Sequence, residues 1–385
     1  MSEAKAARAF ETTEYAQRLE RVRRRMEAQG ISLLLVDTPE NITYLTGMET
    51  PGYYMYMAAV VPARGDLALV LRRAEMANAR TTSWTENLIP YDDTVDPLKL
   101  VADEAKRLAD KGKIGVEMDS SFLTVNRFRR LASYLGRVEV IDAAAIITEE
   151  RRVKSPREVE MIRRAARIVS DAMKQAVATI QPGRNENEVA ASIFNALVEG
   201  GSGFLAMEPF VSSGPRTGSM HAVWAGRAIQ NDEPVLIEVG GCVHRYHAAL
   251  MRTVLLGSPS KELLEWGKVA VDALDAVVAK IRPGITSGEA DAACRGVIEK
   301  AGLYENFRKR TGYSIGLAYA PDWGEGHFLS LQRDDPNVLV PGMTFHMPPA
   351  LREYGKYGFG VSETIVVTER GCEILTQFPE RLIRK

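Results

Sequence analysis

Cysteine and histidine are both scarce, with three and five residues respectively in a chain of 385. Cys242, Cys294 and Cys372 lie far apart and form no Cys-x-x-Cys pair, and one must be left over. That excludes a disulfide framework or zinc ribbon and fits a reducing compartment. Long apolar runs are missing as well. No stretch approaches the roughly 18 residues of a membrane helix. The first ten residues carry Glu3, Lys5 and Arg8 where a secretory leader has its apolar core. The expectation is a soluble, cytoplasmic protein. Neither sign of charge is in excess: 49 Lys+Arg stand against 50 Asp+Glu, which argues against a general nucleic-acid or polyanion binder. What is present, 45% hydrophobic and 26% charged residues, is the composition of a folded globular chain long enough for two domains.

The first 150 residues read as alternating helix and strand. Tyr15, Leu19, Val22 and Met26 recur at helical spacing over residues 13–29, and residues 31–36 are a short apolar run suited to a buried strand. Residues 37–41 are turn-like. Residues 53–62 and 67–71 are expected as strands joined at Ala63-Arg64-Gly65-Asp66, and strands at 113–116 and 138–141 flank a helix at 121–134. This is the pattern of a layered α/β domain, residues 1–150. A boundary follows. Ser155, Pro156 and Glu158 make a capping box with proline in the first turn, opening a helix that stops at Pro182-Gly183. Over residues 151–385 the order is two helices then strands, and again two helices then strands, which predicts an α+β domain of two similar halves.

Several residues could carry chemistry. The apolar run Val235-Leu236-Ile237 ends in Glu238, and a carboxylate there must find a partner or shift its pKa, as suits a nucleophile or general base. His221 lies on a loop beside Trp224 and is a candidate proton carrier. His244 and His247 fall on opposite faces of a strand and so cannot chelate one metal, with His247 the more inward of the two. The glycine-rich Gly312-Tyr313-Ser314-Ile315-Gly316 is no phosphate loop. It leads into Asp322-Trp323-Gly324-Glu325. His346 and Glu363 sit inside apolar strands, where each costs stability unless paired.

These motifs resemble the creatinase/prolidase/methionine-aminopeptidase superfamily, peptidase family M24, with the pita-bread fold. The marks are Asn41-Ile42-Thr43-Tyr44-Leu45-Thr46-Gly47, Lys154-Ser155-Pro156-Arg157-Glu158, Tyr246-His247-Ala248-Ala249-Leu250-Met251-Arg252-Thr253, Gly312-Tyr313-Ser314-Ile315-Gly316 and Pro341-Gly342-Met343-Thr344-Phe345. The resemblance implies a pita-bread catalytic domain behind a smaller α/β N-terminal domain. It also places the five metal-ligand positions of the family's peptidases on Glu238, Ala249, Tyr313, Met347 and Ser362. Only the first ligates readily, which points to the metal-free branches. The ectoine hydrolase group is the nearest of these, through Glu238-Val239-Gly240-Gly241-Cys242, Pro321-Asp322-Trp323-Gly324-Glu325 and Thr344-Phe345-His346.

The expectation is therefore a hydrolase, without metal or other cofactor, of a C–N bond in a small polar or zwitterionic amide, amidine or guanidine. Glu238, His221, Glu363 and His346 are the expected catalytic residues, the last two positioning substrate or steadying the positive charge that develops on a substrate nitrogen. Tyr53, Tyr54, Trp224 and Trp323 are expected as an aromatic wall, with His247, Tyr313 and Glu325 also binding substrate. The resemblance further implies a homodimer whose N-terminal domain caps the partner's site. The rival readings are a metal-dependent Xaa-Pro peptidase and an inactive binding domain.

Overall fold

In a computed structural model, residues 8–109 and 112–385 are described. The chain divides into two compact units, one ending at Arg151 and the other spanning Arg152–Lys385. No described helix is long and apolar enough to cross a membrane.

The first unit contains α1 (Thr12–Ala28), β1 (Ile31–Val36), α2 (Pro39–Thr46), β2 (Ala58–Pro62), β3 (Ala68–Arg72), α3 (Met76–Thr82), β4 (Leu88–Tyr91), α4 (Pro97–Leu108), β5 (Lys113–Val116), α5 (Val125–Leu135), β6 (Val140–Asp142) and α6 (Ala145–Arg151). Its six strands lie in the order β4-β3-β2-β1-β5-β6. β1 runs antiparallel to β2 and parallel to β5, so Asp37 and Glu117 follow the carboxyl ends of neighbouring strands. The Glu117 carboxylate accepts the backbone N–H groups of Asp37 and Thr38, each at 2.9 Å, and the Asn41 amide. Asn41 in turn accepts from Arg151 at 2.8 Å. The turn-like stretch at 37–41 thus starts a helix, because Pro39 suits its first turn. Residues 53–57 are not strand. Pro51–Tyr54 is a single 3₁₀ turn in which Thr50 Oγ1 accepts from Gly52 N–H.

The second unit opens with α7 (Pro156–Thr179), α8 (Glu186–Glu199), β7 (Phe210–Ser213), β8 (Pro234–Val243) and β9 (Tyr246–Leu255). The same order recurs with α9 (Lys261–Lys280), α10 (Ser287–Lys300), β10 (Gly312–Ser314), β11 (Ser330–Leu331) and β12 (Thr344–Met347). The hairpin β13 (Ala350–Glu353) and β14 (Tyr357–Gly360), then β15 (Glu363–Val367), β16 (Cys372–Ile374) and β17 (Ile383–Arg384), close the chain. One sheet is β17-β9-β8-β7 and the other β11-β10-β12-β15-β16. Each half buries its own core: Val169, Met173 and Ile193 against Ile237 and Leu250, and Leu274, Val277 and Ile298 against Phe345 and Ile365. Tyr357–Gly360 and Glu363–Val367 are separate strands. Gly360 ends the hairpin, and the Ser362 N–H leaves it for the Met251 carbonyl, so the chain crosses between sheets.

Candidate functional site

β8 alternates. Val235, Ile237 and Val239 face α7 and α8, so Leu236, Glu238 and Gly240 face the other side, where Glu238 lies opposite Met251 of β9 and Phe210 of β7. That face forms the floor of a cavity of about 300 Å³ whose walls include His221, Lys309, Tyr313, Trp323 and Arg352. Gly240 is required here. A Cβ would lie 2.3 Å from Cε3 of Trp323, so only glycine lets the indole lie flat on the strand.

A hydrogen-bonded chain runs along one wall. Trp323 Nε1 donates to Tyr313 Oη at 2.8 Å, and Tyr313 Oη is 2.9 Å from His346 Nδ1. His346 Nε2 is 2.7 Å from Ser362 Oγ, which accepts the Met251 N–H at 2.6 Å. Burial first, then the charges of Lys309 and Arg252, depress the His346 pKa to about 3. The imidazole is therefore neutral, one nitrogen donating and the other accepting. Its Nδ1 lies 4.0 Å from Glu238 Oε1.

Electrostatics separate the remaining groups. Glu238 is 7% exposed, and burial raises its pKa; Lys309 and Arg352 oppose the rise, and Asp322 adds to it. Lys309 is held down, to about 8, by burial and then by Arg352, with Glu238 opposing. Its Nζ makes no hydrogen bond or ion pair among the described residues. Burial likewise lowers Arg352, which donates to the carbonyls of Thr217 (2.6 Å) and Ser219 (3.0 Å) while its Nε stays unpartnered. His221 stacks on Phe210, ring centroids 5.3 Å apart, and takes a left-handed backbone with φ 55°. Burial, Lys309 and Arg352 lower its pKa, so it too is neutral near pH 7.

The expected residues therefore separate. Glu238, His221, Tyr313 and Trp323 line one cavity, with His346 behind Tyr313. Glu363 does not join them. It pairs with Arg252 (2.8 Å) and Arg381 (3.1 Å) and accepts from Thr376, a buried network that leaves no oxygen for a substrate. Ser362, one residue earlier, is the one that touches His346. Glu325 is likewise committed, 2.6 Å from Lys154 with both side chains 1% exposed. His247 is pinned by the Arg245 carbonyl at 2.8 Å from Nδ1, and burial drives its pKa well down. Trp224 packs edge-on against Phe194 of α8, at 5.7 Å and 90°, not into the cavity. Tyr53 and Tyr54 belong to the first unit, Tyr53 edge-on to Phe122 and Tyr54 67% exposed. Lys309 and Arg352 are the residues that sequence reasoning missed. Basic side chains in the run Arg308-Lys309-Arg310 and at Arg352, beside the turn of the β13–β14 hairpin, read as solvated surface. The one available signal was that the basic run directly precedes the glycine-rich Gly312–Ser314 strand.

The cavity does not suit a pair of metal ions. Ala249 has no donor atom, Tyr313 and Ser362 are engaged with His346, and Met347 is fully buried in the apolar core while Pro348 takes its place on the cavity wall. Among the described residues no group of three or more His, Cys, Asp or Glu could hold a metal ion.

Residues 160–369 match the family model described as Metallopeptidase family M24, and residues 18–153 match the Creatinase/Prolidase N-terminal domain. The chain is similar to a protein named ectoine hydrolase from Halomonas elongata, 29% identical with 98% of each chain covered. It is 33% identical, again over 98% of each, to an uncharacterized hydrolase/peptidase of Sinorhizobium fredii. Among solved structures, dipeptidase PepE from Mycobacterium ulcerans superposes with a TM-score of 0.84 at 28% identity, covering 97% of this chain and 99% of the other. A prolidase from Thermococcus sibiricus shares the fold with a TM-score of 0.87 at 23% identity, covering 96% and 99%.

Proposed function

The chain belongs to peptidase family M24 and carries a creatinase/prolidase N-terminal domain, and from that premise we propose that it is a metal-independent hydrolase of a C–N bond in a small carboxylate-bearing amide or amidine; a relative named ectoine hydrolase supports the hydrolase part of this reading. The observation that carries this reading is the charge set of the cavity. The cavity carries Lys309, Arg310 and Arg352 against the carboxylates Glu238 and Asp322, while the other four positions that the resemblance matches to metal ligands hold Ala249, Tyr313, Met347 and Ser362. Such a cavity favours an anionic group on the substrate over a metal ion.

In this mechanism Lys309 and Arg352 hold the substrate carboxylate. Glu238 takes a proton from the attacking water as the new C–O bond forms at the amide or amidine carbon. The proton taken up by Glu238 then reaches the leaving nitrogen by way of His221, neutral and able to accept on one nitrogen while donating from the other, as the C–N bond breaks. The Tyr313–His346–Ser362 chain fixes the wall against which the substrate lies. We further propose a homodimer, which size-exclusion chromatography with light scattering tests by the mass of the active species.

The test is turnover of ectoine, hydroxyectoine, creatine and Xaa-Pro dipeptides by the wild type and by Glu238→Gln. The expected result is hydrolysis of a cyclic amidine or guanidine, lost by at least about a hundredfold in the variant, the usual range for removing a general base. Turnover confined to Xaa-Pro dipeptides, or a fully active variant, would overturn the reading.

A further inference from the structure

A strongly basic cavity lies outside the catalytic pocket. It has a volume of about 620 Å³ and is lined by Arg295, Arg308, Lys309, Arg310 and Arg333, with Glu305 the one acidic residue on its wall. Five cations face few carboxylates. Arg295 pairs with Asp291 behind it at 2.8 Å, Arg308 with Glu305 at 3.2 Å, and Arg333 with Glu299 at 3.2 Å. The latter two pairs are open to solvent, with the arginines 78% and 55% exposed. Pairs of that kind are worth about 0–1 kcal/mol and yield readily to a better anion. Arg310 is fixed in place, donating to the Gly326 carbonyl at 3.0 Å and Ser330 Oγ at 2.9 Å with its guanidinium over Tyr313. Lys309 Nζ makes no hydrogen bond or ion pair among the described residues, and Lys309 is also a wall of the catalytic pocket.

We propose that this basic cavity binds a small dianion, a phosphate monoester or a dicarboxylate, and that Lys309, shared by the two cavities, passes its occupancy to the catalytic pocket. The guanidinium groups provide the forked donors that phosphate and carboxylate oxygens accept. A dianion beside Lys309 offsets the charge that Glu238 and the substrate otherwise see, so binding in one cavity changes substrate affinity in the other. This second clause rests on the hydrolase reading; the binding clause does not.

Titration calorimetry on the full chain tests binding, with inorganic phosphate and succinate as probes, in the wild type, Arg308→Ser/Arg333→Ser and Arg352→Met. The expectation is binding at millimolar concentration or tighter, weakened at least about tenfold in the double variant and much less in Arg352→Met. The ratio of phosphate to succinate affinity distinguishes the two sources. Both substituted arginines of the double variant are exposed, so an unchanged melting temperature and unchanged basal turnover are expected. Phosphate should shift the KM of the wild type by at least about twofold and leave the double variant unaffected. No heat with either probe up to about 50 mM overturns the site. So does affinity that follows Arg352, since the anion would then sit in the catalytic pocket. Binding without any change in KM overturns the coupling through Lys309. Calorimetry reads the site even if no tested substrate is turned over, so the two readings fail separately.

Discussion

At the scale of single residues, the first unit buries a carboxylate that the mechanism does not use. Asp37 is 5% exposed and neither carboxylate oxygen has a hydrogen-bond partner. Burial, and then the charge of Glu117, raise its pKa from 3.8 to about 8, with Ser120 and Arg127 opposing. The folded state thus holds this proton far more tightly than the unfolded chain. The stability it confers is complete below the unfolded pKa and declines as pH rises through the interval up to about 8. Asp37→Asn removes the titrating group and keeps the shape. The variant should melt several degrees above the wild type at pH 8, and the margin should close toward pH 4. Melting curves of both proteins at pH 4, 6 and 8 check this, and a variant no more stable at pH 8 would show that Asp37 has a partner. The same scale shows what was legible. Glu238 stands out in the sequence because it interrupts an apolar run. Glu363 looks the same in sequence, but the pleat points it at Arg252 and Arg381 and brings Ser362 to His346. Pairing across strands decides between them, and no local spacing encodes it.

At the scale of elements, the paired halves of the second unit have a local sequence signature that is easily missed. Ile180-Gln181-Pro182-Gly183 precedes the Asn185/Glu188 capping box of α8, and Ile281-Arg282-Pro283-Gly284 precedes the Thr286/Glu289 box of α10. Each proline-glycine pair ends a long helix, and each box satisfies the first N–H groups of the next. Elements set by such caps and by apolar periodicity were readable. The first-unit turn at Pro51–Tyr54 was not, because its aromatic residues look strand-like and Thr50 supplies the turn from outside the run. Within β8 the decisive position is Gly240, where added bulk meets Trp323. Gly240→Ala should cost about 1–3 kcal/mol as overpacking and displace the indole that donates to Tyr313. Denaturant midpoint and Trp fluorescence measure the two effects. An unshifted midpoint would mean that β8 and the loop of Trp323 separate easily.

At the scale of the whole molecule, family models match residues 18–153 and 160–369, so both units keep a family scaffold. The scaffold was legible because caps, glycine turns and apolar strands recur in a fixed order along the chain. The centre was only half legible. The absence of ligating side chains at Ala249, Tyr313, Met347 and Ser362 can be seen in sequence, whereas the cations of the pocket arrive from distant segments, Lys309 ahead of β10 and Arg352 in β13. Two metal ions would bring four positive charges to a pocket that already holds Lys309, Arg310 and Arg352 against two carboxylates, Glu238 and Asp322, and two carboxylates do not offset that repulsion. Protein purified without chelators should therefore contain well under one tightly bound metal ion per chain. Dialysis against EDTA should leave both melting temperature and turnover unchanged, and added Mn²⁺, Co²⁺ or Zn²⁺ should not raise the melting point, since a ligand bound only by the folded state must stabilise it. Elemental analysis and melting curves read these outcomes without needing the true substrate. Two ions per chain, or a melting point that falls with EDTA and recovers with metal, would return the protein to the metallopeptidases.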